Sequence, residues 1–449
     1  MENEKSGVKL CWDSKGVNLP IPPQQMVQKQ QVNPCTMSLN NVFIPAQNKI
    51  SPQNCILQGN NVCIIPELIE QGMAGKFDLI YLDPPYLSNA VYKSRIPMGE
   101  GDESLWLERK IFDDAGTENM GEYLNELLHL FYMIKVLLSD KGSLFVHLDW
   151  HSSHYVKILL DEVFDRKHFI NEIVWCYSGG SGSRNHFHRK HDVILWYSKT
   201  DQYIFNPQYR PYSEATRQRG LTKVKGDRYK LKEQGALLND WWTDIGKILS
   251  PTAYENLKFP TQKPIKLLER LVATASHPGS LVGDFYCGSG TTAQVCHHMG
   301  RKYVICDCNP IAIQTCIQRM LRINADPFNL YSTLPDPDNH LKLGPMKIVP
   351  YNEEYNRVDI VLLDYKPKYS EIEIELNFNA CIDFWEIGYE EHNTFISIVQ
   401  ILRPHRSFDY SLPTVASLLM SADIPPLKVK VRDVFGSTTQ QDLQSLSTY

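Results

Sequence analysis

Leu281-Val282-Gly283-Asp284-Phe285-Tyr286-Cys287-Gly288-Ser289-Gly290-Thr291-Thr292 is an apolar run that passes through a glycine turn into a helical stretch, Thr291 to Met299. Glycines at 288 and 290 let a ligand come close to the main chain. Seventeen residues past Gly290, the apolar segment Tyr303-Val304-Ile305-Cys306 ends in Asp307. An acid at the end of the second strand accepts hydrogen bonds from ribose hydroxyls in nucleotide sites. A lone Gly-x-Gly says little. Strand, glycines, helix, strand and acid in this order predict a Rossmann-like α/β fold, with its ligand at the carboxyl ends of the strands.

A second strand of this kind lies far upstream. Leu79-Ile80-Tyr81-Leu82 is apolar and stops abruptly at Asp83-Pro84-Pro85-Tyr86. Asp supplies an acceptor for an amine, the prolines fix φ, and Tyr supplies a flat face for a ring. The four residues suit a planar group that carries an exocyclic amine. Around them, Cys55 to Gly59, Ser143 to Asp149, Phe169 to Trp175 and Lys190 to Tyr197 read as further strands. Tyr123 to Leu138 carries Leu124, Leu127, Leu128, Phe131, Ile134 and Leu138 at helical period, with Lys141-Gly142 as its stop. Ser88 to Asp114 reads as a polar loop that closes over a substrate. His147, His151 and His154, with Asp149, have an unusual spacing for metal ligands and read as structural.

Several of these segments resemble one family. Asp83-Pro84-Pro85-Tyr86 is similar to the Asp-Pro-Pro-Tyr motif of the DNA amino-methyltransferases, which move a methyl group from S-adenosylmethionine to N6 of adenine or N4 of cytosine. Asp284-Phe285-x-Cys287-Gly288-Ser289-Gly290-Thr291-Thr292 resembles their cofactor loop, and Phe259-Pro260-Thr261-Gln262-Lys263-Pro264 the segment before it. The order of motifs, catalytic first and cofactor last, resembles the permuted β group, and the likeness covers about Cys55 to Asn324.

The resemblance implies that Asp83, Pro84, Pro85 and Tyr86 hold the target amine. It implies that Asn60, Lys263, Asp284, Phe285, Gly288, Gly290, Thr291, Thr292 and Asp307 hold S-adenosyl-L-methionine, with no metal. Asn60 stands where the family commonly has an acid. The catalytic Asp favours adenine N6. Cytosine N4 is the alternative, and a catalytically inactive DNA-binding module or an RNA or protein amide methyltransferase are rivals of another class.

Composition narrows the setting. The chain has 449 residues, 43% hydrophobic and 22% charged, with a net charge of −5, which argues against a nonspecific nucleic-acid coat. Charge is uneven along it. From Arg184 to Glu233 twelve Lys and Arg stand against five Asp and Glu, whereas from Tyr351 to Gln400 three stand against eleven. The basic stretch, interleaved with aromatic residues, suits duplex phosphates. Arg184, Arg189, Arg217, Arg219, Lys223 and Lys225 are the expected DNA contacts.

Five segments are expected: a polar arm over 1–50, a catalytic part over 51–199, a target-recognition insert over 200–256, a cofactor part over 257–335 and a C-terminal β-sandwich-like domain over 336–449. Eleven cysteines without Cys-x-x-Cys pairs and no membrane-length apolar run point to reduced thiols, a cytoplasmic location and no membrane. A restriction nuclease or defence-system partner and a homodimer are the expected associations besides double-stranded DNA.

Overall fold

The computed structural model describes residues 9–16, 24–35, 54–88, 90–97, 106–114, 119–179, 184–220, 231–250, 253–335, 339–368, 378–404, 412–421 and 425–443. One sheet of fourteen strands runs through it. Its order is Trp241–Trp242, Phe169–Cys176, His191–Ser198, Leu138–Leu148, Phe77–Leu82, Leu281–Asp284, Lys302–Asp307, Asn54–Gln58, Phe328–Ser332, Val27–Val32, Thr394–Leu402, Ile382–Glu391, Leu427–Asp433 and Thr438–Asp442.

The six strands from Leu138–Leu148 to Phe328–Ser332 are parallel, so their carboxyl ends share one edge. They are apolar because helices cover both faces. Leu79 and Tyr81 point into one core, with Leu267, Leu271 and Val272 of helix Ile265–Ala275. Ile80 and Leu82 point into the other, with Leu124, Leu127 and Phe131 of helix Met120–Leu137. Each such fully buried side chain contributes roughly 1.5–3 kcal/mol.

The two strands predicted far apart in sequence are neighbours in space. Val282, Gly283 and Asp284 pair with Leu79, Ile80 and Tyr81. Asp83 and the glycine turn therefore leave the sheet side by side, as the α/β expectation requires.

Three sequence readings change. Helix Met120–Leu137 ends before Leu138, which already begins the next strand and pairs with Phe77. Gly142 sits inside that strand at a register shift, where an added Cβ would come within 2.7 Å of the Phe77 carbonyl oxygen. Part of the polar arm, Val27–Val32, is a strand inserted between Phe328–Ser332 and Thr394–Leu402. The Ser88–Asp114 segment contains an antiparallel hairpin, Val91–Pro97 with Trp106–Asp113.

Beyond residue 339 the chain is β-rich. Tyr355–Lys366 pairs with His340–Leu343, Lys347–Pro350 and Val415–Ser421 in a second sheet. Val358, Ile360 and Leu418 of that sheet share a core with Ile387, Val399 and Val431 of the large sheet, so two sheets face each other as in a sandwich. The alternating segment Glu371 to Leu376 lies outside the described residues. Among the described residues no helix is long and apolar enough to cross a membrane.

Candidate functional site

Where the parallel strands end, a pocket of about 560 Å³ opens. Its floor is the turn after Leu82. Asp83, Pro84, Pro85 and Tyr86 line it, and the Tyr86 hydroxyl donates to Asp83 Oδ1 at 2.5 Å. Lys263 Nζ donates to the other carboxylate oxygen of Asp83 and lies 5.5 Å from the centroid of the Tyr86 ring. The two side chains of this ion pair are only 10% and 16% exposed, so water screens them weakly. Both oxygens of Asp83 thus have an internal donor. Burial, then the charge of Asp83, pushes the Tyr86 phenol well above its ordinary pKa, so it stays a donor.

The opposite wall comes from the glycine turn. Gly288, at φ +48°, brings bare backbone to the pocket beside Phe259. Gly290, at φ +75°, opens helix Thr291–His298, and a Cβ there would lie 2.3 Å from Cys316 Sγ. Asp284 accepts from the Thr292 hydroxyl and from the Tyr286 amide. Burial, opposed by those donors and reinforced by the charges of Asp83 and Asp307, raises its pKa to about 7. Asp307 accepts from the Gly288 amide at 2.9 Å and the Asn309 amide at 2.8 Å, one on each oxygen. Burial raises its pKa against these bonds. A carboxylate oxygen takes about two donors, so each keeps capacity for a ligand hydroxyl.

Of the residues expected from the sequence, Asp83, Pro84, Pro85, Tyr86, Lys263, Asp284, Gly288, Thr291, Thr292 and Asp307 are brought to this one pocket. Three are not in its lining. Asn60 caps helix Asn61–Leu68 by accepting from the Val62 amide. Phe285 is buried against Phe77 in the core that holds Ile80 and Leu82. Gly290 acts through helix packing.

Other lining residues carried weaker signals. Tyr92 and Phe112 of the hairpin stack at 4.4 Å and close one side, with Ile111 and Asp114. Asn309-Pro310 begins helix Pro310–Arg322, with the Asn309 side chain accepting from the Ile311 and Ala312 amides. Asn followed by Pro after a strand-end acid is a readable helix start.

The basic positions lie apart from the floor. Arg184 and Arg189 are exposed on the chain between Phe169–Cys176 and His191–Ser198, and the Arg189 guanidinium lies 3.7 Å over the Trp150 ring. Phe187, between them, is 97% exposed. Arg217 is exposed on helix Glu214–Gly220, which also contains Arg219. Lys223 and Lys225 lie outside the described residues.

The model of the DNA methylase family that covers N6 and N4 enzymes matches residues 77–318, a span that holds both walls of the pocket. The chain belongs to this DNA methylase family. Among curated methylases, the type II methyltransferase M.EcaI of Enterobacter cloacae is 26% identical over 365 residues, covering 68% of this chain and 77% of its own. M1.MboII of Moraxella bovis is 27% identical over 58% of this chain and 92% of its own. A solved structure, that of the M1.HpyAVI–SAM complex, aligns with 59% of this chain and 98% of its own at 18% identity and a TM-score of 0.38. As a methylase of this family, the protein works with S-adenosylmethionine.

The pocket fits that cofactor on its own chemistry. It offers two carboxylates with acceptor capacity to spare, Asp284 buried and Asp307 half-buried, bare glycine backbone, and apolar surface from Phe259, Cys287 and Pro310.

Proposed function

We propose that this protein transfers a methyl group from S-adenosylmethionine to the N6 of adenine in duplex DNA. One observation carries the reading: the amine-accepting turn Asp83 to Tyr86 and the glycine turn of Asp284 to Thr292 line the same pocket from adjacent strands. Asp at the first position of the catalytic motif favours adenine by its likeness to the family.

The target base leaves the duplex at an unstacking cost of a few kcal/mol. Tyr86 stacks on it, which recovers roughly 1–3 kcal/mol. Asp83 and the Pro84 carbonyl accept the two amine hydrogens, which aims the nitrogen lone pair across the pocket. Asp307 and the Gly288 backbone hold the cofactor's nucleoside part, and Asp284, Thr291 and Thr292 fix the turn that supports it. When bound, the cofactor supplies an electrophilic methyl group. The protein contributes positioning and negative charge beside the nitrogen as it becomes cationic. Arg184, Arg189, Arg217, Arg219, Lys223 and Lys225 contact the DNA, chiefly its phosphates. A restriction nuclease acting on the same site is the partner this reading expects.

The test is incubation of purified protein with labelled S-adenosylmethionine and unmodified duplex DNA, beside Asp83→Ala, followed by digestion to nucleosides and mapping of the modified positions. N6-methyladenine from the wild type alone supports the proposal. N4-methylcytosine moves the target to the other base, and no label in DNA overturns it.

A further inference from the structure

Behind the catalytic turn lies a buried line of polar side chains that the mechanism above does not use. Tyr81, whose side chain is 2% exposed, lines the pocket and meets Nδ1 of His147 at 2.9 Å. His147 is fully buried, with the Trp175 ring edge-on at 5.6 Å and the Tyr86 ring roughly parallel at 6.3 Å. Its Nε2 lies 3.3 Å from Asp192 Oδ2. The other oxygen of Asp192 accepts from the Tyr177 hydroxyl at 2.7 Å, and Lys247 Nζ is 3.9 Å from the carboxylate. Trp175 and Lys247 come from elements far apart in the chain, so the line is built by the fold and not by one local motif.

Donor and acceptor roles follow from the charges. Burial pushes the Asp192 carboxyl up, but its bond to His147 and the charges of Lys247 and Lys263 hold it below the usual carboxylate range. An ionised Asp192 accepts, so His147 carries its proton on Nε2 and offers a bare Nδ1. Burial and the charge of Lys263 keep the ring neutral, against Asp192 and Asp83. Tyr81 must then donate to Nδ1, which leaves its oxygen lone pairs free to accept.

A methylated amine has to lose a proton. Asp83 accepts an amine hydrogen but is a poor final holder of the proton, since the Tyr86 hydroxyl and the Lys263 ammonium on its two oxygens stabilise it as a carboxylate. Resting on the amine-methylation reading above, we propose that Tyr81, His147 and Asp192 form a proton-accepting line. Tyr81 is the residue that takes the proton from the methylated amine, at the hydrogen held by Asp83 before transfer, and His147 and Asp192 are positioning residues behind it. As the nitrogen gains its methyl group, one N–H bond breaks and its electron pair stays on nitrogen. An O–H bond forms on Tyr81, whose own proton passes to His147 Nδ1. The resulting imidazolium keeps its Nε2–H on Asp192 and is neutralised by that carboxylate. When product leaves, the proton returns through Tyr81 to water in the pocket.

The test is single-turnover methyl transfer on a duplex bearing the mapped site, in H2O and in D2O. Tyr81→Phe removes one oxygen and keeps the ring, so the fold and the affinity for S-adenosylmethionine stay unchanged by calorimetry. Its transfer rate falls by about tenfold or more and the solvent isotope effect of the wild type disappears. Asp192→Asn shows the same loss, and the double variant is no slower than the slower single one, as expected for groups acting as a unit. Should Asp192→Asn fail to fold, Tyr81→Phe with and without D2O still decides. A Tyr81→Phe protein that transfers at the wild-type rate, or losses that multiply in the double variant, overturn the line alone. A wild type that methylates no DNA removes the functional reading and the line with it.

Discussion

In the proposed function Asp83 is the residue on which the chemistry turns. Asp83→Ala removes the partner of Lys263, Tyr86 and the amine together, and transfer is expected to fall by about a thousandfold or more while cofactor affinity stays within a few fold, measured by filter assay and calorimetry. Asp284 gives a second prediction, about pH. Its pKa is raised to about 7 in the folded protein, so its contribution to stability is full below the unfolded value near 4 and is lost as pH rises towards 7. Asp284→Asn removes that dependence. Urea midpoints of the wild type relative to this variant should decline between pH 5 and pH 8, and a constant difference refutes the assignment. Most of the residues that line the pocket were legible because they stand at ends of apolar strands or beside glycines. Asn60 and Phe285 were placed by family likeness alone. Nothing in the residues themselves distinguishes a helix cap or a core ring from a ligand contact, since that depends on which way the side chain turns.

Among the elements, the glycine turn shows how a loop is fixed by packing. Gly290 and Gly300 both have positive φ, but a Cβ at 290 meets Cys316 whereas one at 300 meets nothing within 4 Å. Gly300→Ala should cost roughly 1–2 kcal/mol, the left-handed penalty alone. Gly290→Ala should cost at least about twice that and weaken cofactor binding, read from urea midpoints and calorimetry. Parallel strands were legible from their apolar runs. The hairpin Val91–Pro97 with Trp106–Asp113 was not, since Lys93, Arg95, Glu108, Arg109 and Lys110 make it look like a solvated loop. Its stability comes from contacts that no local pattern reveals. Lys93 and Arg95 pair with Glu108 across it, Tyr92 stacks on Phe112, and Arg109 donates to the Val434 carbonyl more than three hundred residues away.

In the whole molecule, the strand Val27–Val32 joins the parallel half of the sheet to the antiparallel half. Its Gln30 is fully buried. The Gln30 amide donates to Glu386 Oε1 at 2.6 Å and its oxygen accepts from Arg432, while Arg432 also pairs with Glu386. Gln30→Leu leaves two buried charged groups short of partners and should cost about 2–4 kcal/mol, seen as a lower thermal midpoint. A Gln-rich stretch gives no hint of this role, because a single polar residue becomes central only when distant partners surround it. The same strand governs how the protein comes into being. Residues 27–32 leave the ribosome some three hundred residues or more before their partners at 328–332 and 395–397. Contacts so distant in sequence form slowly. The seam of the sheet therefore closes only after both partner strands are made, and until then the nascent chain carries open strand edges, where a chaperone or a second copy can attach.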